Sequence, residues 1–192
     1  MSVITISRQM ASLGNEIASE VAERLGWQRV CRNLINQAAR AAGVPQVALA
    51  EIDELGFLGL HPSTKEWQAY QNQVKTIVLQ LAGEGNVVIV GRGGQIILRD
   101  FPNALHLRVV APLAVRATRL QQQERISAEA AYARLEASDK TRTRYLQRGY
   151  GVALNDPTLY HLVINTGWLA VPQAVDLILQ TYRTVGSSNN SH

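Results

Sequence analysis

The sequence predicts an α/β fold, a mostly parallel β-sheet with helices on both faces. Three observations lead there. Short β-branched apolar runs alternate with segments of helical periodicity along most of the chain. One run, Val87 to Val90, is apolar throughout and lies between glycines, the pattern of a strand buried on both faces. Helical stretches separate the strands, so neighbouring strands are expected to run parallel. In such sheets ligands bind beyond the carboxyl ends of the strands, which directs attention to the loops after Ile6, Val90, Val110 and Ile164.

Val3 to Ile6 opens the chain as a strand and is followed at once by a polar loop. Residues 15 to 26 read as a helix, with Ile17, Val21 and Leu25 on one face and Gly26 as the stop. Trp27 to Val30 is read as a short second strand. Helical patterns follow at 33 to 42 and 46 to 54, punctuated by Gly43 and Pro45, and Leu55 to Pro62 forms an apolar loop. The long helix expected over 64 to 82 carries Trp67, Tyr70, Val74, Ile77, Val78 and Leu81 on one side. After the Val87 strand, Leu105 to Val110 is a second buried strand, and Pro112 suits the first turn of the helix behind it. Ser127 is an N-cap candidate for a helix reaching about Arg148, where Gly149 and Gly151 end it. His161 to Asn165 is the last strand. Val171 to Tyr182 is the last helix, and the GSSNNSH tail from Gly186 is expected to be disordered. The expectation is a single domain over residues 1–185 with a tail at 186–192.

Composition narrows the class. A chain of 192 residues buries roughly 70% of its unfolded surface, enough for a core without disulfides or metal. Hydrophobic residues at 46% and charged residues at 18% exclude intrinsic disorder. No apolar run approaches the length of a membrane span. Met1 to Gln9 has no basic region of the secretory type, and the one cysteine, Cys31, forms neither an internal disulfide nor a cysteine-based zinc site. A cytoplasmic protein is expected. Net charge is +4, and residues 108 to 148 hold nine Lys/Arg against four Asp/Glu, so the excess of +5 is concentrated there. Such a field attracts phosphates. Nucleic acid is disfavoured as the partner, because the arginines alternate with acids and alanines at helical spacing instead of forming basic blocks with aromatics.

The first loop, Ser7-Arg8-Gln9-Met10-Ala11-Ser12-Leu13-Gly14-Asn15, joins a strand to a helix. Backbone N–H groups and a helix N-terminus there can face an anion. The GxxxxGK[ST] signature is missing, and no lysine precedes Lys65, so an ordinary βα turn stays open as the alternative. The loop Gly91-Arg92-Gly93-Gly94 places an arginine among three glycines at a strand end. Its guanidinium can fork onto a phosphate, and a solvated arginine in a glycine turn is the other reading. Arg116 and Arg119 lie three apart, as do Asp139 and Arg142, so each pair shares a helix face and by itself reads as a solvated surface pair. Cys31 reads as a small buried hydrophobe. His61, His106, His161 and His192 lack metal-ligand spacing.

Taken together these segments resemble the cytidylate kinase-like family, a branch of the P-loop nucleoside monophosphate kinases. ITISRQMASLGNEIA resembles the family's ITISRxxGSGGREIA loop, LGWQRVCRNLI its LGxxxYDxxLI turn, and VIVGRGGQIIL its VIVGRGAxxIL segment. HLRVVAPLAVRATR and the DKTR, Y and DPTLYHLVINT series continue the match from about Ile4 to Thr166. The resemblance implies a P-loop NTPase-type three-layer sandwich with a helical lid at about 127–150. It implies ATP and Mg²⁺ as the phosphoryl donor system and a nucleoside monophosphate as acceptor. Carried over by position, Ser7, Arg8, Gln9, Ser12, Gly14 and Asn15 would wrap the ATP phosphates, and Arg92 would hold the acceptor phosphate. Asp139 and Arg142 would belong to the lid, and Arg116 and Arg119 would clamp phosphates from its hinge.

The departures from the family pattern are Ala11 and Leu13 for glycine, Asn15 for arginine and Cys31 for aspartate. Gly93 stands where true cytidylate kinases carry the aspartate of GRD. The leading expectation is a nucleotide-binding phosphotransferase with a degenerate phosphate loop. Its rival is a catalytically inactive pseudo-kinase that senses nucleotide or binds a partner. Metal ligands and acceptor identity are not encoded, a different phosphorylated small molecule remains an option, and homo-oligomerisation is left open.

Overall fold

The computed structural model describes residues 3–41, 43 and 63–188. Five strands form one sheet: β1 (Val3–Arg8), β2 (Gln28–Val30), β3 (Val87–Val90), β4 (Ala104–Val110) and β5 (Leu162–Asn165). Their order is β2-β3-β1-β4-β5, and all four neighbouring pairs are parallel. The helices are α1 (Gly14–Leu25), α2 (Arg32–Ala41), α3 (Thr64–Glu84), the one-turn α4 (Gly94–Ile97), α5 (Leu113–Glu124), α6 (Ala128–Tyr150) and α7 (Val171–Ser188). A 3₁₀ turn at Pro157–Leu159 precedes β5. This is an α/β sandwich built on a parallel sheet with helices on both faces, as the sequence predicts. The helix expected over 46–54 and the loop over 55–62 lie outside the described residues. Among the described residues no helix is long and apolar enough to cross a membrane.

Strand alternation builds the two main cores. Val3, Val87 and Ile89 point to the face covered by α2 and α3, where they meet Ile35, Tyr70, Val74 and Val78. Ile4, Ile6, Val88, Leu105 and Leu107 point to the opposite face, against Ile17 and Val21 of α1 and Ala174 and Ile178 of α7. Each fully buried Ile or Val contributes about 1.5–3 kcal/mol, so truncating Ile6 to alanine would cost about 2–5 kcal/mol. A smaller third core joins α5 to α6 through Ala117, Leu120, Ala131 and Leu135, and Met10 and Ala11 of the first loop pack against it.

Several boundaries differ from the sequence reading for local reasons. β1 continues through Ser7 and Arg8, because β4 is long enough to pair with both. Ser127 caps α6 by accepting from Ala130 N, as its position predicts. The helix then runs through Gly149 and stops only at Gly151, whose left-handed φ of 68° suits glycine. The last helix extends to Ser188, past the expected start of the tail. Two histidines pack beneath the sheet end: the rings of His106 and His161 stack at 5.0 Å, and His106 Nδ1 is 2.8 Å from Thr5 Oγ1.

Candidate functional site

The first loop leaves β1 beside β4 and enters α1 through two non-glycine residues in the left-handed region, Ala11 at φ 57° and Leu13 at φ 60°. These are the two positions where the resembling family has glycine. The backbone thus keeps a shape that costs an L-residue about 1–2 kcal/mol each. Part of the compensation is visible, since Ala11 packs against the α5–α6 core. Leu13 is the N-cap of α1 and makes no side-chain cap bond, so the first amides of this helix are left for another acceptor. Gly14 is required by space: a Cβ there would lie 2.5 Å from Arg8 Cβ. Ser12 is fully buried and ties the loop down, donating to Gln9 O at 2.9 Å and Val109 O at 3.2 Å. Gln9 Oε1 accepts from Ala111 N at 3.1 Å, and Asn15 Oδ1 accepts from Arg8 Nε at 3.1 Å.

The second loop follows β3. Arg92 has φ 59° and is 7% exposed, which a solvated arginine in a glycine turn would not be. Its Nη2 donates to Asn36 Oδ1 at 2.8 Å, and its guanidinium lies 5.8 Å from the Tyr70 ring and 5.6 Å from the Tyr145 ring. The hydroxyls of Tyr145 and Tyr150 donate to its carbonyl at 3.4 and 3.3 Å. Burial pushes the Tyr145 and Tyr150 phenols up, so both remain neutral donors. Gly93 has no room for the aspartate of GRD, because a Cβ there would sit 2.7 Å from the Tyr150 ring.

Two cavities meet between these loops. One, of about 70 Å³, is lined by Ser7, Arg8, Arg32, Arg92, Arg142 and Tyr145 among others, and among the described residues no carboxylate lines it. The other, of about 260 Å³, lies along the first loop from Arg8 to Glu16 and is closed by α5 and α6. Arg8, Arg32 and Arg142 line both. Three guanidinium side chains therefore stand where the two cavities adjoin. Arg142 reaches this place from α6, where its Nη1 donates to Ser138 Oγ and lies 3.9 Å from Asp139 Oδ1.

Arg116 and Arg119 are placed differently from the phosphate-clamp expectation. Neither lines either cavity. Arg116 is buried, donating from Nε to Ala111 O at 3.1 Å and from Nη2 to Asp139 Oδ2 at 2.9 Å. Arg119 binds Thr166 O at 2.7 Å and Thr166 Oγ1 at 3.0 Å and reaches Ala11 O at 3.4 Å. The first thus joins α5 to α6, and the second joins the β5 loop to the first loop. The sequence reading missed Arg32, Asn36, Tyr145 and Arg108. Arg32 had one usable signal, its place directly after a strand end; the others depend on pairings across α2, α3, α6 and the sheet.

The first loop fits an anion, since left-handed residues and a helix N-terminus without a side-chain cap are features of anion-binding backbone. Among the described residues no group of three His, Cys, Asp or Glu side chains comes together.

A family model for the cytidylate kinase-like family matches residues 3–167. The chain belongs to this family. Within the curated relatives, the cytidylate kinase of Pyrococcus horikoshii is 33% identical over 166 residues, covering 85% of this chain and 79% of that protein. That of Pyrococcus furiosus is 31% identical over the same shares. In the solved structures, an uncharacterized protein of Eubacterium ventriosum superposes with a TM-score of 0.75 at 21% identity, over 95% of this chain and 99% of its own. A gluconokinase of Sinorhizobium meliloti reaches 0.62 at 13% identity, over 100% and 98%. The structural neighbours establish the kinase-type fold, and the family membership supports a nucleotide-binding phosphotransferase.

Proposed function

We propose that this protein transfers the γ-phosphoryl group of Mg·ATP to a nucleoside monophosphate in the cytosol. The observation that carries the reading is the placement of Arg8, Arg32 and Arg142 on both cavities at once. Phosphoryl transfer needs positive charge between donor and acceptor, because charge spreads over the equatorial oxygens in the transition state. On this reading the first loop holds the donor phosphates through backbone amides, with Ser12 and Gln9 fixing its shape. Arg92, held by Asn36 and two tyrosine rings, presents a fixed fork to the acceptor phosphate. Residues 127–150 act as the lid, and Asp139 sets the position of Arg142. Arg116 and Arg119 brace the lid and the first loop.

The test is ADP release by the purified protein with Mg·ATP and each nucleoside monophosphate in turn. The expected result is turnover that requires an acceptor phosphate and is absent with the free nucleoside. A second reading, nucleotide binding without transfer, is favoured by the absence of any lysine before Lys65 and by the strained Ala11 and Leu13. ATP-dependent thermal stabilisation with no ADP release from any acceptor would select it.

A further inference from the structure

Arg108 lies on β4 and is 4% exposed. A guanidinium cannot shed its charge, so a buried one calls for a counter-charge. Among the described residues it has none. Nη2 donates to Asn155 Oδ1 at 2.8 Å, and Nη1 donates to Ser7 Oγ at 3.2 Å and to Tyr160 Oη at 3.5 Å. The Tyr160 ring completes the shell at 5.6 Å. Every partner is neutral.

One of these partners, Ser7, lines the smaller cavity, and Tyr160 lies behind it. Gln95 and Leu154 also line the cavity and bond to Tyr160: Gln95 Nε2 donates to the phenol at 3.5 Å, and the phenol donates to Leu154 O at 2.9 Å. Ser7 Oγ accepts from Arg108, so its own hydrogen must be given elsewhere, and no described residue accepts it. A buried hydroxyl donor facing a cavity, backed by an unneutralised cation, suits an anionic oxygen.

We propose that Arg108 is a positioning residue that turns Ser7 into a donor toward a phosphate in the smaller cavity and selects doubly negative ligands over neutral ones. This rests on the acceptor-phosphate reading above, and goes beyond it by assigning the selectivity to a side chain that does not touch the ligand. The charge acts through the low-dielectric sheet end, where screening by water is weak. It adds to Arg92 and the junction arginines, which approach the same space from the loops.

The test neutralises Arg108 without removing it. Asn155→Asp sets a carboxylate 2.8 Å from the guanidinium in an isosteric frame, and Arg108→Gln removes the charge outright. Titration calorimetry compares inorganic phosphate, cytidine monophosphate and cytidine. The expected result is about tenfold weaker binding of phosphate and of the monophosphate to both variants, with cytidine changed less than twofold. A merely structural role predicts that Asn155→Asp, which satisfies a buried cation, leaves all three ligands alone or moves them together; either outcome overturns the proposal. If the wild type binds phosphate but not the monophosphate, the nucleotide reading fails, and the phosphate arm alone decides on Arg108. If the wild type binds none of the three, both fail.

Discussion

Asp139→Ala tests the joint between α5 and α6. Asp139 accepts from Arg116 at 2.9 Å, and the Arg116 side chain is 4% exposed while that of Asp139 is 31% exposed. Removing one partner of a fully buried pair costs about 3–5 kcal/mol, because the other charge is left without compensation. The partial exposure of Asp139 admits solvent screening and lowers the expectation to about 2 kcal/mol. For a chain of this size that corresponds to a Tm lower by about 4–8 °C. Removing the stranded cation as well reverses part of the loss: Arg116→Met in the Asp139→Ala background is expected to regain about 1 kcal/mol, since an apolar pair replaces a broken ionic one. Urea unfolding of the wild type, both single variants and the double variant supplies the cycle. Additive destabilisation, with the double variant less stable than Asp139→Ala alone, would refute the account of Arg116 as a buried charge held by one carboxylate.

Three further outcomes are expected. Burial, then the neighbouring His161, hold His106 down from 6.5 to about 4. The unfolded chain therefore takes up a proton as pH falls through 6.5 and the folded protein only near 4, so stability is full above 6.5 and declines by up to about 3 kcal/mol toward pH 4. His106→Asn should flatten that decline in urea midpoints measured from pH 7.5 to 4.5, and an unaltered slope would count against it. Arg92→Lys should raise the acceptor KM at least tenfold, because lysine keeps the charge but loses the fork and the ring contacts; an unchanged KM refutes the assignment. Gly93→Asp, which rebuilds the GRD motif, should lower stability by more than about 2 kcal/mol through its φ of 71° and the Tyr150 ring. A variant as stable as the wild type would show that the ring yields easily.

The parallel sheet was legible because its signals are local. Val87–Val90 has the same limits in sequence and structure, and the helix expected over residues 64–82 falls short of the observed one by only two residues. Ser127 and Gly151 act as the cap and stop that their residue types suggest. Arg92 and the first loop could be singled out because they follow strand ends, and strand ends in parallel sheets are where ligands bind. The roles of Arg116 and Arg119 were not legible. Three-residue spacing places two arginines on one helix face, but it carries no information about whether Asp139, 23 residues on, or Thr166, from the loop after β5, will take them.

What this sequence determined by itself was the order of its elements, the faces they bury and the two loops where chemistry is possible, since periodicity, caps and glycines act over a few residues. Tertiary structure alone decided which charges are exposed and which are paired. It stacked Arg92 on tyrosines from two different helices, filled the space over Gly93 with Tyr150, and left Arg108 among neutral partners. The physical reason is that burial and Coulomb energy depend on distance in space. The partners that set them can lie a hundred residues or more apart in the chain, as Ser7 and Arg108 do.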